Sequence, residues 1–473
     1  MRRFSVGVLP LILVCRVGAD WLQSVGADRL AATFADVPNA AGVLSIVEAG
    51  NTTGNNYLPD ATNYAFVGKT LVNKGPGTGT SGHATTVGQF FYGNPTSLLT
   101  APAEIHAYNA SYWLEADFLN YNSNAAPLTE VARVQNHSWI ATGAEVTASL
   151  VEAVNQRLDF AIHRDGFVAV AGVNNGTSTT LPPLLAQAYN HITVGLTTGG
   201  HSAGFTAFDG TGRIKPDLVA PDFLTSYATP KVATTAGVLA ARAGAEPHFL
   251  GGADLPRVVK ALLLAGATKA EFPGWARTTA RPLDLRYGAG KLNALLAYRT
   301  LESGEATASA SALAPSVGWA AESVGNGAQK IYFLEIPAGA TPAPFSVALT
   351  WHRLVNDGTQ GPFGWSPSPV ALVNLNLAMH QAAGFTVGTQ LDLSASAVDN
   401  VEHIYAPALA PGRYALVVTA PSGAATTDYA LAWRSTPPVA RTRKVLADVE
   451  EKLKCLESAQ TNAPSWFAFA ERP

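Results

Sequence analysis

The stretch from Gly212 to Ala240, GRIKPDLVAPDFLTSYATPKVATTAGVLA, constrains the fold of this chain more than any other segment. A short apolar run, LVA, is typical of a buried strand and ends at Pro221. The small residues that follow Thr225 and Ser226 predict a helix that packs closely against its neighbours, with Pro230 near its start, where a missing N–H is tolerated. Ser226 would then lie at the mouth of a buried helix, where free N–H groups and the macrodipole favour negative charge.

A serine in this position has two interpretations. It is either a residue that caps the helix or a nucleophile whose reaction develops an oxyanion beside the helix start. The wider string, GRxKPDxVAP followed by TSxATPxVA, resembles the nucleophile region of the subtilisin-like serine peptidases, the subtilases. The resemblance implies that Ser226 is the nucleophile. It also implies that an acid, a histidine and an oxyanion-binding asparagine precede it in that order.

The acid is expected at the end of the first apolar run, GVLSIVEAG, from Gly42 to Gly50. In subtilases the corresponding strand ends in the catalytic aspartate, within V-I-D-x-G, and IVEAG has Glu48 there. Glutamate is one methylene longer but can still accept the histidine N–H, and the related sedolisins use glutamate. Asp60 is the alternative acid. A Glu48 that only caps a helix or faces water is the structural interpretation.

The histidine is expected in SGHATTVGQFFYG, which resembles the subtilase string S-x-H-G-T-H-V-A-G. His83, Thr85 and Val87 match, whereas Ala84 replaces a glycine and Thr86 replaces the second histidine. A lone histidine beside a helix of small residues is often structural. Because it lies between the acid and serine strings, the order favours His83 as the general base.

An asparagine that binds the oxyanion is expected in FVAVAGVNNGTS, which resembles the family string A-G-N-x-G. Asn174 fits this string with Gly176, although Val173 occupies the preceding glycine position. Asn175 is the neighbouring alternative, because the spacing does not exclude a shift of one residue. Asn-Gly pairs also occur in ordinary turns, so this assignment depends on where the string lies in the chain relative to the other motifs.

The wall of the substrate cleft is expected in VARVQNHSWI, where the family has a strand ending in N-x-S, an apolar residue and glycine. Ser138 and Trp139 match and are the predicted substrate-binding residues, since this strand pairs with the peptide backbone in the family. Ile140 stands where glycine is usual, which changes the shape of the primary pocket.

Composition and targeting signals limit the remaining function classes. The chain has 473 residues, 47% of them hydrophobic and 14% charged, with a formal net charge of −3, which gives no electrostatic argument for nucleic acid. Its only cysteines, Cys15 and Cys455, exclude a disulfide framework. Residues 1–19 have two arginines, an apolar core and a small-residue end, the pattern of a secretory signal peptide. No other run is long enough to span a bilayer, so a secreted or cell-envelope location is predicted.

The second half of the chain changes periodicity. Short alternating segments such as FSVALTWH and GRYALVVTA, separated by turn residues, predict an antiparallel β-sandwich that resembles the jelly-roll domains of bacterial extracellular peptidases. Asp399 and other acidic residues could bind structural calcium, although the sequence lacks the ligand spacing of an EF-hand loop. The predicted organisation is a signal peptide (1–19), a lead segment with one amphipathic helix (20–41), a subtilisin-like parallel α/β domain with helices on both faces (42–302), a linker (303–318), a β-sandwich (319–435) and a tail (436–473).

The sequence therefore predicts a secreted serine endopeptidase, acting on proteins or peptides as a monomer, without metal or other cofactor. The alternative is a catalytically inactive chain that keeps the fold as a binding or scaffolding module, which is consistent with the departures at Glu48, Ile140, Val173 and Leu224. An esterase with a nucleophile elbow is disfavoured, because Ser226 does not lie in a G-x-S-x-G string and the candidate histidine, His83, precedes the serine.

Overall fold

The computed structural model describes residues 20–51, 55–121, 123, 125–141, 146–358 and 365–435. The predicted signal peptide (1–19) and tail (436–473) lie outside the described residues. Eight α-helices are assigned in the described part of the chain: α1 (Asp20–Ser24), α2 (Leu30–Thr33), α3 (Gly82–Tyr92), α4 (Ala110–Tyr112), α5 (Ala148–Asp165), α6 (Thr225–Ala243), α7 (Asp254–Gly266) and α8 (Ala294–Glu302).

A seven-stranded parallel sheet forms the centre of the first half. Its strands, in spatial order, are β2 (Leu71–Asn73), β3 (Glu104–Asn109), β1 (Val43–Glu48), β4 (Val134–His137), β5 (Val168–Gly172), β6 (Ile192–Leu196) and β9 (Leu218–Ala220). The remaining strands of this half, β7 (Gly204–Phe205) and β8 (Ile214–Lys215), form a small hairpin.

Both faces of this sheet are buried, as parallel sheets require. In β1, Leu44 and Ile46 pack into the core that includes α6 and α7, whereas Val47 faces the core built with α5. The predicted close packing of the serine helix is found in α6. A Cβ on Gly237 would lie 2.3 Å from Leu99, so this glycine permits the close approach of its neighbour.

The second half is a β-sandwich of two four-stranded antiparallel sheets, so the predicted fold class is confirmed. One sheet contains β10 (Val317–Val324), β19 (Thr427–Ser435), β12 (Ala343–Trp351) and β17 (Val401–Leu409). The other contains β11 (Gln329–Ile336), β18 (Gly412–Thr419), β15 (Asn376–Ala383) and β16 (Thr386–Ser394). Two short strands, β13 (Val355–Asn356) and β14 (Ser368–Pro369), pair beside them.

A buried ion cluster joins the two halves. Arg353, which follows β12, pairs with Asp159 on α5 and with Asp209, with Nη2–Oδ2 distances of 2.6 Å to each. The Asn190 side chain accepts from the Arg353 N–H and donates to its carbonyl. One cation from the sandwich therefore pairs with two buried carboxylates of the α/β half.

The expectation of a single helix in the lead segment is wrong. Two short α-helices, α1 and α2, flank a 3₁₀ turn at Ala27–Arg29. Gly26 interrupts the helix with a φ of 71°, which is outside the right-handed helical region. Packing against the core outweighs local amphipathicity here, since Val25 is fully buried and its carbonyl accepts from the Ala294 N–H.

Candidate active site

Three elements of the α/β half bring the predicted acid, histidine and serine to one edge of the sheet. Glu48 is the last residue of β1, His83 is the second residue of α3, and Ser226 is the second residue of α6. All three side chains line one cleft with a volume of about 330 Å³. This position, at the carboxyl ends of parallel strands, is where α/β sheets place their ligand sites.

Glu48 and His83 form a direct pair. The His83 Nδ1 and Glu48 Oε2 atoms are 2.6 Å apart, and the carboxylate is 2% exposed while the imidazole is 39% exposed. With Nδ1 carrying the proton, that N–H donates to the carboxylate and Nε2 is left as a base facing the cleft. The second oxygen, Glu48 Oε1, is buried without a hydrogen-bond partner among the described residues.

Burial and pairing have opposite effects on the pKa values of Glu48 and His83. Burial raises the pKa of Glu48, and the hydrogen bond and charge of His83 only partly offset this effect. The hydrogen bond from Glu48 raises the pKa of His83 above its usual value of 6.5, although partial burial opposes the shift. The imidazolium is therefore stabilised, which suits a group that takes up a proton during a reaction.

Asp60, the alternative acid, has other partners. Its Oδ1 accepts from the backbone N–H and the hydroxyl of Thr62, and its own N–H donates to Thr85 Oγ1. In the described part of the chain its carboxylate forms no hydrogen bond or ion pair with His83. The geometry favours Glu48 as the histidine's partner.

Ser226 lies in the first turn of α6, where backbone N–H groups have no intrahelical acceptor. No acceptor for the Ser226 N–H is found among the described residues. Ser226 also forms no hydrogen bond with His83 in the described structure, although both side chains line the cleft. Catalytic hydrogen bonds are often long without substrate, so the shared cleft is the relevant geometry.

The carbonyl of Ser226 is freed by a proline. In a regular α-helix it would accept from the N–H of residue 230, but Pro230 has none. Ser138 Oγ donates to this carbonyl instead, at 2.8 Å, and Asn136 Nδ2 in turn donates to Ser138 Oγ at 3.0 Å. Ser138 therefore holds the backbone of the predicted nucleophile, a contact that the cleft-wall motif alone does not predict.

The two asparagines of the NNG turn have different environments. Asn175 Oδ1 accepts from the Thr225 backbone N–H at 2.8 Å and from Thr225 Oγ1 at 3.0 Å. A backbone N–H is only a donor, so the bonded amide atom is the oxygen, and Nδ2 remains available as a donor. Asn174 is held through its backbone, whose N–H and carbonyl bond to Ser202.

Trp139, the second predicted substrate-binding residue, is 8% exposed and lines the cleft. Its indole packs edge-on against the rings of Trp113 and His137, with centroid distances of 6.5 and 6.1 Å. Burial lowers the pKa of His137 to about 3, so this histidine is neutral in the packed layer behind the cleft. Ile140 and Val173 also line the cleft, so two of the departures from the subtilase pattern lie where a substrate would contact them.

An aromatic side chain that sequence reasoning missed lies beside the histidine. Tyr227, the residue after Ser226, has its ring centroid 5.8 Å from that of His83 and 6.0 Å from that of Phe90. The available sequence signal was its place directly after Ser226. Successive helical residues point about 100° apart, so Ser226 and Tyr227 cannot both enter the cleft.

Metal-ligating side chains are not clustered in the described part of the chain. No group of three or more His, Cys, Asp or Glu side chains in the described residues is arranged to hold a metal ion. Asp399 accepts from Ser396 Oγ at 2.8 Å, and burial raises its pKa to about 6. No described helix has both the length and the apolar character needed to cross a bilayer.

Comparison with known proteins yields little. No family model and no curated protein sequence matches the chain. Among solved structures, the crystal structure of a lanthipeptide protease is 16% identical, and the match covers 59% of this chain and 94% of that one, with a TM-score of 0.42. A likeness of this size assigns neither family nor function.

Proposed function

We propose that this chain is a serine endopeptidase of the subtilase type, with a triad of Glu48, His83 and Ser226. The observation that carries the proposal is the 2.6 Å contact between His83 Nδ1 and Glu48 Oε2, in the cleft that Ser226 also lines. A buried carboxylate that fixes the tautomer of a half-exposed imidazole, next to a serine at a helix start, is the arrangement that serine hydrolysis requires.

In the proposed mechanism, Ser226 Oγ attacks the carbonyl carbon of the scissile peptide bond while His83 Nε2 accepts the hydroxyl proton. Glu48 stabilises the imidazolium that forms. The tetrahedral intermediate collapses as His83 gives that proton to the leaving amine, which departs and leaves an acyl ester on Ser226. A water molecule then attacks the ester with His83 again as the base, and the carboxylic acid is released with Ser226 restored.

The oxyanion of the tetrahedral intermediate needs donors that are in place before the reaction. We assign this role to the backbone N–H of Ser226 and to Nδ2 of Asn175. Asn175 is preferred to Asn174 because its amide oxygen is fixed by the Thr225 N–H, one residue before the nucleophile. The proposed donors are therefore linked to the same helix start.

The proposed substrates are proteins or peptides, and the proposed location is extracytoplasmic. The location rests on the pattern of residues 1–19, which is that of a secretory signal peptide. We propose that the chain acts as a monomer. We further propose that Ser138 orients the nucleophile by way of its backbone, while Trp139 contributes to the wall of the substrate cleft.

Peptide hydrolysis tests the proposal. The purified full chain is incubated with a mixture of unfolded proteins, and new peptide termini are identified by mass spectrometry. The wild-type chain should generate internal cleavages, and matched Ser226→Ala and His83→Ala variants should not. If the folded wild-type chain cleaves nothing, or if Ser226→Ala cleaves equally well, the proposal is wrong. In the first case the inactive binding module becomes the preferred function.

A further inference from the structure

Three aromatic side chains form a ledge beside His83, outside the cleft that Ser226 lines. Tyr227 lies at the centre of this ledge, with its ring centroid 5.8 Å from that of His83. The Tyr227 centroid is also 5.5 Å from that of Phe223 and 6.0 Å from that of Phe90. None of the three aromatic residues lines the cleft itself. We call Phe90, Phe223 and Tyr227 the aromatic ledge.

The aromatic ledge presents apolar surface to solvent. Phe223 is 74% exposed, whereas Phe90 and Tyr227 are half-buried. A single exposed apolar residue is ordinary on a protein surface. Phe223 is not isolated in this way, because its ring meets that of Tyr227 edge-on and continues an aromatic surface that reaches the proposed general base.

The ledge is held from behind by paired charges. The Phe223 N–H donates to Asp222 Oδ1 at 2.7 Å, and the Asp222 carboxylate pairs with Lys231. Lys231 Nζ also donates to the Pro221 carbonyl at 2.8 Å and lies 4.5 Å from the ring centroid of Phe90. The charges of Asp222 and Lys231 balance each other, and the side chains of both residues are buried. The ledge is therefore suited to an uncharged, apolar ligand.

The proposed chemistry places the leaving half of a substrate at this ledge. The oxyanion forms on the acyl half, so that half lies in the cleft with Asn175 and Trp139. His83 gives its proton to the leaving nitrogen, so the residue after the scissile bond lies next to the imidazole. Tyr227 is an aromatic neighbour of that imidazole outside the cleft, and Phe223 packs against Tyr227.

We propose that the aromatic ledge binds the side chain directly after the scissile bond and selects an aromatic or large apolar residue there. This inference rests on the proposed peptidase function and adds a specificity determinant to it. An incoming ring can pack edge-to-face or offset against Tyr227 and Phe223, the arrangements that aromatic pairs favour. A charged side chain would lose hydration there without gaining a counter-ion, because Asp222 and Lys231 already pair with each other.

Matched peptides test the proposal. One internal cleavage made by the full chain in an unfolded protein is identified by mass spectrometry, and that peptide is synthesised with phenylalanine, alanine or lysine directly after the scissile bond. The acyl half is identical in the three peptides. The phenylalanine peptide should have a kcat/KM at least about fivefold above that of the alanine peptide, and the lysine peptide should not exceed the alanine peptide.

A substitution on the ledge identifies the determinant. Phe223→Ser removes the most exposed ring, and it should reduce the ratio of kcat/KM between the phenylalanine and alanine peptides to less than about twofold. Phe249→Ser is the matched control, because Phe249 is 67% exposed and follows the other end of α6, about 27 Å from Ser226. This control should keep the full ratio. General damage to the active site would slow both peptides equally and leave the ratio unchanged.

The outcomes separate this inference from the proposed function. If the wild-type chain cleaves the alanine peptide as fast as the phenylalanine peptide, or the lysine peptide faster, the ledge does not select the leaving residue, although the chain is a peptidase. A ratio that survives Phe223→Ser would place the determinant elsewhere and overturn the inference. If the folded chain cleaves no peptide, the proposed function is wrong and this inference is wrong with it.

Discussion

Ser138 Oγ donates a hydrogen bond of 2.8 Å to the carbonyl of Ser226. This contact exists because Pro230 cannot supply the helical N–H that the carbonyl would otherwise accept. A strand on one side of the cleft thereby holds the backbone of the residue that we propose as the nucleophile. Pro230 and Ser138 therefore act together to orient the start of α6.

This arrangement predicts energetic coupling between Ser138→Ala and Pro230→Ala. Ser138→Ala should lower the free energy of unfolding by about 1 kcal/mol, because it removes one hydrogen bond to a partly buried carbonyl. In a Pro230→Ala background the same change should cost less, since the substituted residue offers its own N–H to the Ser226 carbonyl. Denaturant unfolding of the four proteins measures the coupling. An identical loss in both backgrounds would show that the serine and the proline act independently.

The His83–Glu48 pair predicts the pH dependence of activity. The base must be neutral, so activity is lost as the pH falls through the pKa of His83. Glu48 raises that pKa above 6.5, which places the acid limb of kcat/KM on the alkaline side of this value. A pH profile of peptide hydrolysis measures it, and an acid limb below pH 6 in the wild-type chain would contradict the pairing.

Glu48→Gln is the matched control for this profile. The amide keeps the shape of the side chain but removes its charge, so the acid limb of the residual activity should move to lower pH. Turnover should fall by about 10³–10⁴-fold, since the histidine loses the partner that fixes its tautomer. Asp60→Asn should leave both quantities unchanged, because the Asp60 carboxylate bonds to Thr62.

The different contacts of the two asparagines in the NNG turn predict that their substitution by alanine has unequal effects on catalysis. Asn175→Ala should lower kcat by about 10²–10³-fold with a smaller change in KM, as expected for a donor that acts in the transition state. Asn174→Ala should have little effect, because Asn174 is held through its backbone. Steady-state kinetics of both variants decides between them, and the reverse order would assign the oxyanion to Asn174.

Substitution of Arg353 is expected to cause a large loss of stability that is unrelated to the cleft. Arg353→Met leaves the carboxylates of Asp159 and Asp209 buried without their cation, and it should destabilise the chain by about 3–5 kcal/mol. Arg413→Met removes an exposed pair with Glu335 and should cost no more than about 1 kcal/mol. Thermal unfolding of the two variants compares these values, and similar shifts would show that the buried cluster contributes no more than the surface pair.

The acid, the histidine and the serine could be predicted from the sequence because each has a local signal, and the structure brings the three side chains into one cleft. Glu48 ends an apolar strand, His83 opens a helix of small residues, and Ser226 precedes a longer helix. The carboxyl ends of parallel strands lie at one edge, so residues with these signals were expected to meet. The alternation of apolar residues predicted the β-sandwich, whereas the parallel α/β half was expected from the resemblance to the subtilases.

Other features depend on contacts between distant segments and have no local signal. The choice between Asn174 and Asn175 rests on which amide reaches Thr225, 50 residues later in the chain. The role of Ser138 needs a carbonyl 88 positions away. Arg353 and Asp159 are separated by 194 positions, and no periodicity pairs them. In the lead segment the pattern predicted one helix, but Gly26 adopts a left-handed conformation that packing selects.

Labelling of the full chain with a fluorophosphonate probe, which reacts covalently only with an activated serine, tests whether Ser226 is the nucleophile. We expect the wild-type chain to be labelled on a peptide containing Ser226. Labelling should be abolished in Ser226→Ala and His83→Ala and strongly slowed in Glu48→Gln, whereas Asp60→Asn should react like the wild type. If the folded wild-type chain is not labelled, or is labelled on another serine, Ser226 is not the activated nucleophile.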